Sequence, residues 1–140
     1  MCSWVGEDSG RYIYRYGLDT GDYLGKVLMD EPPEYLQGIA YFSGYLNMTS
    51  DDGNADDEQP DHLYRTKIVP EAETCTVTLE KDFDDVIGQG EIEGLSFDKN
   101  NGQFLLLYNR GARIVSGMPK GFYEGYDREI SEVFVYEIDY

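Results

Sequence analysis

Residues Gln37–Ser50 read "QGIAYFSGYLNMTS", and this stretch decides the fold. An aliphatic and aromatic run is followed by Ser43-Gly44 and a second apolar run, the pattern of a β-hairpin with Ser43-Gly44 at its tip. The pattern returns in "EGLSFDKNNGQFLLLYN", Glu93–Asn109, which turns at Lys99–Gly102. Gln37-Gly38-Ile39-Ala40-Tyr41-Phe42 aligns with Glu93-Gly94-Leu95-Ser96-Phe97-Asp98, and Tyr45–Thr49 then matches Phe104–Tyr108.

Outward from these two hairpins the chain continues in short strands cut by turn residues. "RYIYRYGLDTGDYLGKVLM", Arg11–Met29, is a hairpin turning at Asp19–Asp22. "DHLYRTKIVPEAETCTVTLEKDF", Asp61–Phe83, is another, turning near Pro70–Glu73, and "EVFVYEIDY" is a final strand. Tyr14, Tyr64 and Tyr136 fall in register across "IYRYGLDTG", "LYRTKIVPE" and "FVYEIDY". Helical spacing is best in Lys81–Gly88, at Phe83, Val86 and Ile87, and that stretch is short and stopped by glycine. Thirteen tyrosines and sixteen glycines agree with pleated strands joined by tight turns. The chain therefore reads as one all-β domain of antiparallel four-stranded meander sheets, with a β-sandwich as the alternative.

Repeated four-stranded units of this length mark β-propeller blades, because a single such sheet cannot bury both faces alone. The "EGLSFD" strand followed by "LLLYN" resembles the blades of the broad propeller class that includes gluconolactonase-like, NHL-like and SdiA-regulated-like proteins. The resemblance implies a partial blade over Ser3–Met29, a complete one over Gln37–Phe83, and a partial one over Glu93–Tyr140 with a long connection at Asn109–Ser131. Closed propellers have roughly 4–8 blades, so the expectation is an incomplete propeller, either part of a larger chain or completed by self-assembly.

With 28 acidic and 11 basic residues the net charge is −17. That balance argues against nucleic acid and anionic membranes, both of which recruit concentrated cations. Another protein or a second copy is the expected partner. No apolar run reaches membrane-spanning length and no signal peptide opens the chain, so the expected location is cytoplasmic, or secreted if the chain belongs to a longer precursor. Cys2 and Cys75 match no metal or redox spacing and are expected as free thiols.

Three stretches are candidates for chemistry. In "TSDDGNADDEQPDH", Asp52, Asn54 and Asp56 occupy the first, third and fifth positions of an EF-hand pattern, but Asp57 and Leu63 replace its glycine and glutamate. An irregular calcium site using Asp51, Asp52, Asn54 and Asp56 is one reading; a solvated inter-strand loop is the other. Glu93 opens its strand where gluconolactonase-like propellers place a cation-binding glutamate, so the resemblance makes it a calcium ligand and allows a calcium-dependent hydrolase of gluconolactonase or esterase type. Its counterpart, Gln37, is neutral.

The third stretch, Asn109–Ser131, gathers Arg110, Arg113, Lys120 and Arg128 with Tyr123 and Tyr126, a composition suited to a ligand or an interface. The acidic and the Arg/Tyr-rich stretches fill the same inter-strand place in successive repeats, and the expectation is that they share a rim. Nucleophilic catalysis has little support: His62 is the single histidine, and no serine lies in a Gly-x-Ser-x-Gly turn.

Overall fold

The computed structural model describes residues 9–51, 59–86, 90–109, 113–115, 118–120 and 133–137. Apart from a 3-10 turn at Ser9–Arg11, their regular structure is β, as expected. The strands are β1 (Tyr12–Tyr16), β2 (Tyr23–Met29), β3 (Leu36–Phe42), β4 (Tyr45–Ser50), β5 (His62–Lys67), β6 (Thr74–Cys75) and β7 (Val77–Asp82). They continue with β8 (Glu91–Phe97), β9 (Phe104–Asn109), β10 (Arg113–Val115), β11 (Met118–Lys120) and β12 (Phe134–Tyr136). Among the described residues no helix is long and apolar enough to cross a membrane.

Three sheets stack face to face. The second is an antiparallel meander in the order β3-β4-β5-β7, and the third has the order β8-β9-β12. The first joins the antiparallel pair β1-β2 to β6, which runs parallel to β2 through Leu28–Thr74 and Met29–Cys75. That parallel pairing departs from the all-antiparallel expectation, because the β5–β7 connection crosses back to the neighbouring sheet. The second sheet is covered on both faces. Leu46, Met48 and Val77 on one face join Ile13, Val27 and Met29 of the first sheet. On the other face Leu63 joins Phe104, Leu106 and Tyr108 of the third. A stack of three layers differs from the two-layer sandwich considered as the alternative.

The repeat is built into the backbone. β3 carries a bulge between Leu36 and Gly38, and β8 carries one between Ile92 and Gly94. Gln37 and Glu93 are thus the extra residues of matching bulges, which re-aim a strand and increase its local twist. Register also corrects the sequence alignment. Ile39 faces Met48 and Leu95 faces Leu106, so Met48 corresponds to Leu106, one residue from the pairing read by eye. Met48 then faces Tyr64 while Leu106 faces Phe134, so Tyr64 corresponds to Phe134 rather than Tyr136.

The turns explain the slip. Phe42 faces Tyr45 across Ser43-Gly44, both at positive φ (52° and 88°), a tight hairpin turn, whereas Phe97 faces Phe104 across a longer one. The longer turn is closed by Gly102 N–H donating to the Asp98 carbonyl and by the Asp98 carboxylate accepting from Asn100 N–H.

Two further expectations are revised. Lys81 and Asp82 end β7, and Phe83 begins a turn closed by Val86 N–H donating to the Phe83 carbonyl, so the described residues of this stretch, 81–86, form strand and turn rather than helix. Phe83 and Val86 fall three apart because both dip into the core beside the third sheet. Within Asn109–Ser131, β10 and β11 pair Arg113 with Lys120, so that connection holds a short hairpin. Cys75 is a free, buried thiol, as the sequence implied; desolvation pushes its pKa up, away from the reactive thiolate. Cys2 lies outside the described residues.

Candidate functional site

The connection from β2 to β3 reads Asp30-Glu31-Pro32-Pro33-Glu34-Tyr35. Adjacent prolines fix two backbone φ angles and hold the preceding residue extended, so this connection is stiff. It lies over one end of the second sheet, tied at three places. The Val77 amide donates to Asp30 Oδ1 at 3.0 Å. The Ser50 hydroxyl donates to the Glu34 carbonyl. The Asp51 amide donates to the Tyr35 carbonyl at 3.2 Å. Tyr35 takes a left-handed φ of 49°, a conformation costing on the order of 1 kcal/mol or more for a residue with a side chain.

Between this strap and the sheet lies a cleft of about 570 Å3. Its floor includes Ser50, His62, Tyr64 and Leu79, and its walls include Glu31, Glu34, Tyr35 and Asp51. Among the described residues no lysine or arginine lines it. Register builds the floor: Ser50, His62 and Asp82 form one row across β4, β5 and β7. His62 and Asp82 come opposite because β7 slips past β5 between Leu63 and Tyr64, which leaves Glu80 as an extra residue. His62 Nδ1 lies 2.7 Å from Asp82 Oδ1. When Nδ1 donates to this carboxylate, the neutral ring presents Nε2 as an acceptor. The Tyr64 ring meets His62 edge-on at 5.9 Å. Desolvation, reinforced by the Asp82 carboxylate, raises the Tyr64 phenol pKa and keeps it a neutral donor.

Serine, histidine and aspartate in one row resemble parts of a hydrolytic triad. The serine hydroxyl, however, is directed to the Glu34 carbonyl and, at 3.3 Å, the Asp51 carbonyl. A serine hydrogen-bonded to main-chain carbonyls is not being activated by a base. The arrangement orients an imidazole, a phenol and several carboxylates around a cleft.

Of the sequence-derived candidates among the described residues, Asp51 alone reaches this cleft. Asp51 follows β4, is buried, and helps to wall the cleft. Glu93 is exposed at the β8 bulge. Asp52, Asn54 and Asp56 lie outside the described residues, as do Arg110, Tyr123, Tyr126 and Arg128. Arg113 and Lys120 are cross-strand partners in the β10–β11 hairpin. Among the described residues, no group of three or more histidine, cysteine, aspartate or glutamate side chains could hold a metal ion. The residues missed in the sequence are those of the strap and the His62–Asp82 pair. Pro32-Pro33 between two carboxylates was the signal for the strap; the bulge that aligns His62 with Asp82 left no such signal.

A second cluster lies beside the third sheet. The Tyr108 phenol is held protonated by desolvation and by Asp61, Tyr136 and Asp85; the Tyr136 phenol is held protonated by desolvation and by Asp85 and Asp84. Both tyrosines belong to the aromatic core, with Tyr108 packed edge-on to Phe134 at 5.3 Å and Tyr136 against Phe83 at 5.2 Å. Comparison of the chain with protein-family models, curated proteins and solved structures gave no significant match in any of the three.

Proposed function

We propose that the protein is a binding module built on a propeller-like stack of sheets, and that the cleft under the Asp30–Tyr35 strap takes a cationic group, such as an arginine or lysine side chain of a partner protein. The observation that carries this reading is the lining: carboxylates of Glu31, Glu34 and Asp51 beside the rings of Tyr35 and Tyr64, with no lysine or arginine among the described lining residues. Carboxylates accept hydrogen bonds from a guanidinium or ammonium group, and tyrosine faces attract it through their quadrupole. A cleft of about 570 Å3 lies in the size range of built ligand sites.

Calorimetric titration with a short arginine-containing peptide, and with its glutamate counterpart, tests the reading. Saturable binding of the first alone is expected, weakened about tenfold or more in Glu31→Gln/Glu34→Gln, in line with charge-assisted bonds worth about 1.5–3 kcal/mol each. The whole chain is strongly anionic, so non-specific attraction would survive that variant, which removes two of 28 acidic side chains. Equal binding by variant and parent would overturn the assignment.

A further inference from the structure

The three sheets stack with one polarity. Ile13-Tyr14-Arg15 of β1 repeats as Leu63-Tyr64-Arg65 of β5, and in each the aliphatic residue packs toward the following sheet. Each sheet thus has a leading face, which receives the sheet before it, and a trailing face, which covers the sheet after it. The leading face of the second sheet receives the first; its trailing face covers the third.

The trailing face of the third sheet carries Leu105, Leu107, Val133 and Val135, which alternate with its core residues Phe104, Leu106, Phe134 and Tyr136. Leu107, Val133 and Val135 are 47%, 57% and 53% exposed. Three neighbouring aliphatic side chains left this open mark an interaction surface. The backbone beneath them repeats the joint above. A Cβ added to Gly38 would lie 3.4 Å from the Leu95 amide nitrogen, so that glycine admits the next sheet. Gly94 stands at the same step after the same bulge, and its added Cβ would meet Leu107 at 3.6 Å.

At the other end, the leading face of the first sheet presents Tyr12, Tyr14, Lys26 and Leu28, with Lys26 Nζ 3.6 Å above the Tyr12 ring. Charge complements shape. On that leading face Lys26 is the one charged residue of β1 and β2, since Arg15 alternates onto the opposite face, where its guanidinium donates to the Pro70 carbonyl; β8, β9 and β12 contain Glu91 and Glu93 and no cation. In a chain of net charge −17, a lysine on one end face and glutamates in the sheet at the other end favour pairing these two ends.

The geometry points to a second copy of this chain as the occupant: the trailing face of the third sheet of one copy packs on the leading face of the first sheet of another, continuing the stack head to tail. The contact is heterologous, joining two different faces, and does not depend on what the cleft binds.

Light scattering after size-exclusion chromatography tests this with two variants of the full chain, Leu107→Glu/Val135→Glu on the trailing face and Tyr12→Glu/Lys26→Glu on the leading face. The parent is expected at a mass of at least twice 16.0 kDa, and each variant alone at one chain mass. Mixed, the two variants retain one good trailing face and one good leading face, so a complex of one copy of each is expected. That complex also shows that both variants are folded. A parent that stays a single chain up to about 100 μM, an assembly that survives either variant, or a mixture that forms no complex would each overturn the proposal.

Discussion

The two joints between sheets solve the same packing problem with different materials. The joint between the first and second sheets is built from aliphatic side chains and sulfur, with Ile13, Val27, Met29, Leu46, Met48, Cys75 and Val77 in one cluster. The joint between the second and third is aromatic and laced with polar groups. Phe42 and Phe97 stack at 4.5 Å with planes 5° apart, and Phe83 lies nearly parallel to Phe104 at 6.3 Å. On the same face of the second sheet, Asn47 and Thr49 are fully buried, and Arg65 pairs with Glu80 at 2.7 Å. Asn47 donates to the carbonyls of Ala40 and Tyr45, while its Oδ1 and the Thr49 hydroxyl have no hydrogen-bond partner among the described residues. Buried polar groups left this way cost about 1–3 kcal/mol each. The first joint has such groups in Thr66 Oγ1 and Arg15 Nε, and the second adds the Tyr108 hydroxyl to its two, so aromatic packing there has somewhat more to offset.

The largest test of that contrast removes the aromatic residue that closes the second joint. Phe83 is fully buried, and its amide is held by the Asp61 carbonyl at 2.9 Å, so the ring is fixed from its own backbone. Phe83→Ala is expected to cost about 3–5 kcal/mol in denaturant unfolding, through lost burial and the cavity left behind. Met29→Ala, in the aliphatic joint, is expected to cost about 2–5 kcal/mol. Neighbouring sheets share the second sheet as a common wall, so both variants should lower a single transition. Two separated transitions in either variant would show that the joints fold as independent units.

A subtler test compares Gly38 with Gly94, two glycines at matching steps of matching bulges. An added Cβ on Gly38 would come 2.8 Å from the Thr49 hydroxyl oxygen and 3.4 Å from the Leu95 backbone. The hydroxyl can rotate away, but the backbone of the neighbouring sheet cannot. Gly38→Ala is therefore expected to cost about 1–3 kcal/mol, the usual range for overpacking. Gly94→Ala meets ordinary van der Waals contact and should stay within about 0.5 kcal/mol in thermal unfolding of a dilute sample. Equal losses at both positions would break the equivalence, since they would mean that the third sheet's trailing face is already as crowded as the second's.

These comparisons also show what the sequence could and could not reveal. Turn chemistry was legible: Ser43-Gly44 needs two residues at positive φ, and the Asp98–Gly102 segment supplies its own caps, so the hairpins were found at their tips. Register was not legible, because bulges at Gln37 and Glu93 and a slip at Glu80 each add a residue that leaves no mark on hydrophobic alternation. Unequal turns shift the repeats further, so Tyr136 aligns with Tyr64 by residue type where the sheet aligns Phe134 with it; an error of two residues preserves the face, so the fold is read correctly despite it. The same slips hid the cleft, whose floor depends on Ser50, His62 and Asp82 meeting across three strands. Acidic side chains and Pro32-Pro33 were conspicuous in the sequence, but the Asp30, Ser50 and Asp51 bonds that hold the strap to the sheet are announced by no residue pattern.

The smallest expected effect concerns that strap and follows from one carboxylate. The Val77 amide, donating to Asp30 at 3.0 Å, holds the Asp30 carboxyl below its ordinary value of 3.8, helped by the Glu31 amide and opposed by partial desolvation. A carboxyl whose pKa is lower in the folded chain contributes stability above its unfolded pKa, and that contribution fades as pH falls through the folded value. Acid should therefore loosen the anchor between β2 and β7 below about pH 4, where the unfolded chain begins to take up the proton. Asp30→Asn removes the titrating group, so parent and variant should differ in melting temperature near neutral pH and converge as pH falls toward 2. With 28 acidic side chains titrating in the same window, the difference between the two curves is the informative quantity. A gap that stays constant from neutral to acid would mean that the strap is held by Ser50 and Asp51 alone, and that the first joint owes nothing to the charge on Asp30.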